Sequence, residues 1–206
     1  MSRDRPRQGH ASSGAPGRIR IIGGTLRGSK LPVPDAPGLR PTSDRIRETL
    51  FNWLAPTIAG ARALDLYAGT GALGIEALSR GAREVVMVER ERALAVALEQ
   101  NVARLKVAGA VIVQDSAERY LDGPSAPFDL VFLDPPYADE RWTEAALRLE
   151  ARGWLAPRAL VYLESPREAA PELPPNWLPH RAGEAGSVRY ALYRREAIGP
   201  DGRSLS

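Results

Sequence analysis

A carboxylate, two prolines and an aromatic ring stand together at Asp134-Pro135-Pro136-Tyr137. The apolar run over residues 128–133 directly precedes them and predicts a buried strand. Because proline has no backbone N–H, the end of this strand offers the Asp134 carboxylate and backbone carbonyls as hydrogen-bond acceptors beside the Tyr137 ring. Such a surface suits a planar group that carries an NH2, such as the exocyclic amine of a nucleobase. The alternative is structural: a Pro-Pro stop after a strand, with the aspartate as a turn former.

A glycine-rich turn follows an earlier strand of the chain. Residues 63–67 predict that strand, and Gly69, Gly71 and Gly74 then form a G-x-G-x-x-G pattern before a predicted helix. Glu89 ends the next predicted strand, at the spacing where a carboxylate binds the ribose hydroxyls of a nucleotide. The pattern therefore predicts a cofactor that contains a nucleoside. A tight packing turn is the alternative.

The residues around this turn favour S-adenosylmethionine over a nicotinamide dinucleotide. Asp65 lies inside the strand, where a dinucleotide turn usually has an apolar residue, and in a methyltransferase an acid there orients the turn and the amino-acid end of S-adenosylmethionine. The chain also has only one β-α-β-α-β half, whereas a dinucleotide fold has two. Asp115 and Ser116, after the third strand, would reach the adenine, although an aspartate there can equally cap a helix. The further candidate cofactor residues are Tyr67, Arg90 and Thr42.

The apolar pattern places both motifs on one α/β sheet. From residue 61 onward predicted strands alternate with predicted helices, which indicates a parallel sheet with helices on both faces. A last strand, antiparallel, is predicted over residues 188–193 and pairs with one near Trp177. The two motifs then meet between strands one and four, where the strand order reverses. The other strands cover 62–67, 84–89, 110–114, 128–133 and 158–164, and the helices cover about 71–80, 91–106 and 139–151.

The residues before the sheet form a distinct region. A tail rich in glycine, serine, proline and arginine predicts disorder, and a short β-hairpin with glycine breaks follows it. Thr42 predicts the N-cap of a helix whose apolar residues fall on one face. We divide the chain into a basic tail (1–17), a hairpin arm (18–40), a catalytic domain (41–195) and a C-terminal tail (196–206).

Positive charge is concentrated near the N-terminus. Residues 1–50 hold ten basic and four acidic residues, although the whole chain has a net charge of only +3. A basic arm on a nearly neutral body indicates a polyanionic partner. For any single arginine, a solvated surface charge is the alternative. The candidate contact residues are Arg18, Arg20, Arg27, Arg40, Arg45 and Arg47.

Composition excludes several other chemistries. The chain has no cysteine, which rules out disulfides, thiolate metal sites and cysteine nucleophiles. Its two histidines, His10 and His180, argue against a histidine zinc site or a Ser-His triad, so no metal is expected. No apolar run approaches the roughly 18–20 residues that cross a bilayer, and the N-terminus lacks a secretory signal. We therefore expect a cytoplasmic protein.

Four blocks of the sequence carry a family resemblance. Residues 20–24, 38–54, 65–82 and 132–137 resemble the RsmD family of bacterial 16S ribosomal RNA guanine-N2 methyltransferases. The Arg40-Pro41-Thr42 segment is the most family-specific part, since other methyltransferases lack it. Near the C-terminus the chain departs from the family, because Ala182-Gly183 stands where the family tends to carry a Glu-Lys pair.

The resemblance implies a class I S-adenosylmethionine-dependent methyltransferase with a Rossmann-like sheet of strand order 3-2-1-4-5-7-6 and an N-terminal hairpin. The substrate would be a guanine amine of 16S ribosomal RNA, free or in the assembling small subunit, and the enzyme would be a monomer. Asp134 and the Pro135 carbonyl would hold the amine, Tyr137 would stack on the flipped base, and the arginines would bind RNA phosphates. Two other hypotheses stay open. One is methylation of an adenine or a glutamine amide, and the other is a non-catalytic RNA-binding assembly factor.

Overall fold

The computed structural model describes residues 17–34, 42–136 and 141–197. Two candidate site residues, Arg40 and Tyr137, lie outside these ranges, as do the predicted tail up to residue 16 and the C-terminal tail from residue 198. The strands are β1 (Arg18–Arg20), β2 (Lys30–Pro32), β3 (Arg62–Asp65), β4 (Glu84–Glu89), β5 (Ala110–Gln114), β6 (Phe128–Leu133), β7 (Leu155–Pro166), β8 (Trp177–Ala185) and β9 (Val188–Arg195). The helices are α1 (Asp44–Leu54), α2 (Ala72–Ser79), α3 (Arg92–Leu105), α4 (Ala117–Asp122) and α5 (Trp142–Ala151).

Seven strands form the main sheet, in the order β5-β4-β3-β6-β7-β9-β8. Strands β3 to β7 are all parallel to one another, and β9 runs antiparallel to both β7 and β8. Counted within this sheet alone, the order reads 3-2-1-4-5-7-6, the order that the family resemblance implies. The order reverses between β3 and β6, so their carboxyl ends lie side by side. No helix in the described ranges is long and apolar enough to cross a membrane.

Helices cover both faces of the sheet, because each central strand is apolar on both sides. In β6, Leu130 and Phe132 point to a core that includes residues of α1, α2 and α3. Val131 and Leu133, which alternate with them, point to a second core formed with α4 and α5. The same alternation, continued by one residue, places Asp134 on the side of the first core.

The β1–β2 hairpin packs against the domain as part of the first core. Ile19 and Leu31 pair across the hairpin and are buried there. The loop between the strands wraps the end of α2: the N–H of Thr25 donates to the Ser79 carbonyl at 2.8 Å. Gly24 makes this approach possible, since its φ is +73° and a Cβ would lie 1.8 Å from the Ser79 oxygen. The hairpin is therefore held in a fixed place on the side of the sheet that α2 covers.

Some boundaries differ from the sequence prediction. Ser43, and not Thr42, is the N-cap of α1: its hydroxyl accepts from the N–H of Ile46 at 3.3 Å. Strand β3 ends at Asp65, before the predicted residue 67, because the chain leaves the ladder at the glycine turn. Helix α4 was not predicted, since its six residues are too few to show a helical period.

Candidate functional site

Two carboxylates shape the glycine turn between β3 and α2. Asp65, at the end of β3, accepts from the N–H of Gly74 at 3.0 Å. Glu89, at the end of β4, accepts from the N–H of Gly69 at 2.8 Å. Gly71 is the left-handed N-cap of α2, with φ +74°, and a Cβ there would meet Leu98 at 2.3 Å. The turn thus needs glycine on steric grounds, and its two acids come from neighbouring strands.

The end of β5 supplies the next predicted pair of residues. Ser116 caps α4, because its hydroxyl accepts from the N–H of Arg119 at 3.3 Å. Asp115 therefore is not the cap; its carboxylate accepts from the N–H of Ser116 at 2.8 Å and lies 3.4 Å from the Arg119 guanidinium. Its side chain is 30% exposed, which leaves part of the carboxylate open at the carboxyl edge of the sheet.

Asp134 follows β6 directly and stands beside the glycine turn. Its strand pairs with β3, in the register Asp65↔Phe132. The hydroxyl of Thr42 lies 3.4 Å from Asp134 Oδ2, so the segment before α1 reaches the carboxylate. Pro135 is buried and Pro136 is exposed. Thr42, predicted as a cofactor residue and as a helix cap, thus contacts the predicted catalytic acid.

The carboxylates in this region repel one another. Burial, with a smaller contribution from the charge of Glu89, raises the pKa of Asp65 to about 7. Burial and the nearby charges of Glu164 and Asp65 raise the pKa of Asp134 well above its ordinary value. Within the described part of the chain, no arginine, lysine or histidine forms an ion pair with Asp65, Glu89 or Asp134. A ligand that carries positive charge would relieve this repulsion.

Glu164 is a residue of this group that sequence reasoning missed. It lies near the end of β7, next to β6, and its carboxylate accepts from the Tyr162 hydroxyl at 2.9 Å. The sequence does contain a sign of its role: the predicted strand over 158–164 ends at Glu164, and the predicted strand over 128–133 is likewise followed by an acid, Asp134. Only the pairing of β6 with β7 shows that the two acids are neighbours.

The two other cofactor candidates flank the glycine turn and β4. Tyr67 follows β3 and packs, half-buried, against the second core. Arg90 follows Glu89 and is exposed, with its Nε 3.3 Å from the Glu91 carboxylate. Both residues therefore lie at the carboxyl edge of the sheet, where the cofactor is expected.

The predicted RNA-contacting arginines divide into two groups. Arg18, Arg20, Arg27 and Arg45 are exposed on the hairpin and on α1. Arg47 is fully buried, so the prediction that it contacts RNA is wrong. Its guanidinium lies between α1 and α2, 2.6 Å from Asp44 and 3.6 Å from Glu76, and also donates to the Arg20 carbonyl. Arg47 is buried because it lies on the face of α1 that points into the protein.

The residues present fit S-adenosylmethionine. Its sulfonium and ammonium groups are cationic, and the carboxylates of Asp65, Glu89 and Asp134 form no ion pair with a basic residue in the described part of the chain. The turn has no side chain at Gly69 or Gly71, and the N–H of Gly71 donates to the Ala68 carbonyl at 2.7 Å, which keeps the turn tight at the start of α2. Glu89, the carboxylate that the sequence predicts to bind ribose hydroxyls, contacts the turn at Gly69, and Thr42 contacts Asp134.

A mostly parallel sheet that reverses at the glycine turn, with amine-accepting groups at the neighbouring strand end, defines a class I S-adenosylmethionine-dependent methyltransferase. Residues 19–194 match the family described as conserved hypothetical protein 95, and the chain belongs to this family, which is the RsmD family.

Relatives of known name and structure agree with this membership. The chain is 52% identical over 184 residues to the Escherichia coli protein named ribosomal RNA small subunit methyltransferase D, which covers 89% of this chain and 93% of that protein. The protein of the same name in Haemophilus influenzae is 42% identical, with 87% and 95% covered. The structure of the methyltransferase yhhF from Escherichia coli superposes with a TM-score of 0.83 at 49% identity, covering 88% of this chain and 99% of that one.

Proposed function

We propose that this enzyme transfers a methyl group from S-adenosylmethionine to the exocyclic amine N2 of a guanine in small-subunit ribosomal RNA. The observation that carries the proposal is the Asp134 carboxylate, followed by two prolines, at the strand end beside the cofactor turn. The names of the relatives supply the substrate class, small-subunit ribosomal RNA. The acceptor-only character of this strand end supports an exocyclic amine as the methyl acceptor, and the choice of guanine N2 rests on the resemblance to the RsmD family.

The chemistry of the site follows from these acceptors. When bound, S-adenosylmethionine supplies a methyl group activated by its sulfonium charge. The Asp134 carboxylate and the Pro135 carbonyl accept the two N–H groups of the amine, which holds the nitrogen lone pair toward the methyl group. Positive charge grows on that nitrogen as the new N–C bond forms and the bond from the methyl group to sulfur breaks, and a fixed carboxylate stabilises this charge. The Asp134 carboxylate can then accept the proton that the nitrogen loses, and the neutral thioether leaves as the second product. Tyr137 would stack on the base, which must leave its own stack to enter the site.

RNA binding is assigned to the exposed arginines of the hairpin and α1. Arg18, Arg20, Arg27 and Arg45 can contact phosphates, and Arg40 belongs to the same proposal. The partner is ribosomal RNA, free or in an assembling small subunit, and a cytoplasmic location follows from that partner. Residues 18–40 would then serve as the RNA-contacting arm of a catalytic domain that spans residues 41–195.

Mass spectrometry of ribosomal RNA tests the proposal. RNA from a strain that lacks the gene should lack one N2-methylguanine in the small subunit, and the wild-type protein should restore it. Asp134→Asn should lower methyl transfer by roughly a hundredfold or more, because it removes the charge that faces the amine, while S-adenosylmethionine affinity stays nearly unchanged.

Asp129→Asn is a matched control. Asp129 lies at the opposite end of the same strand, where it accepts from the N–H of Arg62 at 2.9 Å, and its substitution should leave transfer unchanged. Methylation of an adenine or of a glutamine in place of guanine would contradict the proposal, as would full activity of Asp134→Asn. Normal RNA binding with no transfer by the wild type would favour the assembly-factor hypothesis instead.

A further inference from the structure

Glu164 and Asp134 occupy neighbouring positions at the carboxyl ends of two paired strands. In the register of β6 and β7, Leu133 pairs with Leu163. The residue that follows Leu133 is Asp134, and the residue that follows Leu163 is Glu164. Paired strands lie about 4.8 Å apart. Phe132 and Tyr162, two residues earlier, both face the first core. By alternation Asp134 and Glu164 face that same side, where Thr42 contacts Asp134.

The surroundings of Glu164 hold its carboxylate in one orientation. The residue is only 6% exposed. The Tyr162 hydroxyl donates to Oε2 at 2.9 Å, and the indole N–H of Trp142 donates to the Glu164 carbonyl at 2.7 Å. The carboxylate acts on its neighbour as well, because its charge contributes to the raised pKa of Asp134.

Two adjacent carboxylates suit one nucleobase edge better than the others. Guanine presents N1–H beside its N2 amine, which gives adjacent donors. Adenine presents its amine beside N1, which carries a lone pair that a carboxylate repels. We propose that Glu164 is a specificity residue that accepts N1–H of the target guanine while Asp134 accepts from its N2 amine. This inference rests on the proposed function, because it names the residue that selects guanine for that same reaction.

Replacing the target guanine with 2-aminopurine probes this contact. 2-Aminopurine keeps the 2-amine but lacks O6 and has a lone pair at N1 in place of N1–H, so the part of the guanine preference that depends on Glu164 is the part that a Glu164 variant loses. The target is first mapped by mass spectrometry, and small subunits are then reconstituted with RNA ligated to carry either base at that position. The wild type should transfer methyl to guanine about ten to a hundred times faster than to 2-aminopurine, the value of one hydrogen bond to a charged group.

Glu164→Gln should reduce this preference to about threefold or less, because an amide can either accept N1–H or donate to a bare N1. A purely structural role would slow both substrates equally and leave the ratio unchanged. Tyr162→Phe, which removes only the orienting hydroxyl, should lower the ratio in the same direction and keeps the test usable if Glu164→Gln folds poorly. S-adenosylmethionine affinity should be unchanged in both variants.

The outcomes separate the two proposals. An unchanged ratio in both variants, or a wild type that does not prefer guanine over 2-aminopurine, would overturn the role of Glu164 and leave guanine methylation intact. Absence of any N2-methylguanine in particles treated with the wild type would instead overturn the proposed function itself.

Discussion

Asp65→Asn should make the free protein more stable at neutral pH while weakening its cofactor site. Asp65 is 2% exposed and its pKa rises from 3.8 to about 7 on folding, which corresponds to about 4 kcal/mol. Between these two values the folded state holds a proton that the unfolded state has lost, so stability falls as pH rises. Above about pH 7 the protein bears the whole loss of folding stability caused by the buried Asp65 carboxylate, and below pH 3.8 this loss vanishes. Asparagine keeps an oxygen to accept from the N–H of Gly74 and has no proton to lose.

Urea unfolding at several pH values measures this effect. The stability of Asp65→Asn minus that of the wild type should grow by about 3 kcal/mol between pH 5 and pH 8 and then level off. Glu99→Gln removes an exposed carboxylate from α3 and should show no such growth. S-adenosylmethionine should bind the wild type more tightly as pH rises through about 7, and this trend should disappear in the variant. A stability difference that stays constant from pH 5 to pH 8 would refute the conclusion that burial raises the pKa of the Asp65 carboxyl.

Three further perturbations test other parts of the site. Glu89→Gln should weaken S-adenosylmethionine binding by about 1.5–3 kcal/mol in calorimetry, because charged hydrogen bonds to ribose are lost, and NADH should give no binding heat with either protein. Glu76→Gln should lower the free energy of unfolding by about 3–5 kcal/mol in urea titrations, since a fully buried carboxylate that faces two guanidinium groups is neutralised. Replacing Arg18, Arg20 and Arg27 with alanine should flatten the dependence of RNA affinity on salt by about 0.7–0.9 in log-log slope per lost phosphate contact, with cofactor affinity as the control; an unchanged slope would remove the hairpin from RNA binding.

Much of the site was predictable because its parts are local in sequence. The glycine turn, Asp65 and Asp134 each sit at the end of a strand that its own apolar run predicts. The alternation of strands and helices then brings those ends to one edge, since parallel strands share a direction. The cofactor class followed from this local information, and the structural and family comparisons agree with it.

Arg47 shows where reasoning from composition fails. The helical period that places Leu50 and Leu54 on the buried face of α1 places Arg47 on that face too. The sequence pattern therefore does indicate that Arg47 is buried. What the pattern could not give is the partner, because Glu76 belongs to another helix and meets Arg47 only after folding. The contact between Thr42 and Asp134 is equally hidden, since 92 positions of sequence separate them.

Helix α2 connects the glycine turn, where the cofactor is expected, to the hairpin that is proposed to bind RNA. Its first turn begins at Gly71 and carries the cofactor turn, while Glu76 accepts from the N–H groups of Ile22 and Gly23 in the hairpin at 2.7 and 2.8 Å. The helix has eight residues, so the last of them, where the hairpin loop is bound, lies about 12 Å from the glycine turn. RNA phosphates held by the hairpin would thus sit at a set distance from the methyl donor. A buried ion-pair network is a costly way to attach a hairpin to a helix, but it fixes the direction of the hairpin as well as its position. Under the proposed function, a base that leaves its stack to reach Asp134 would need both.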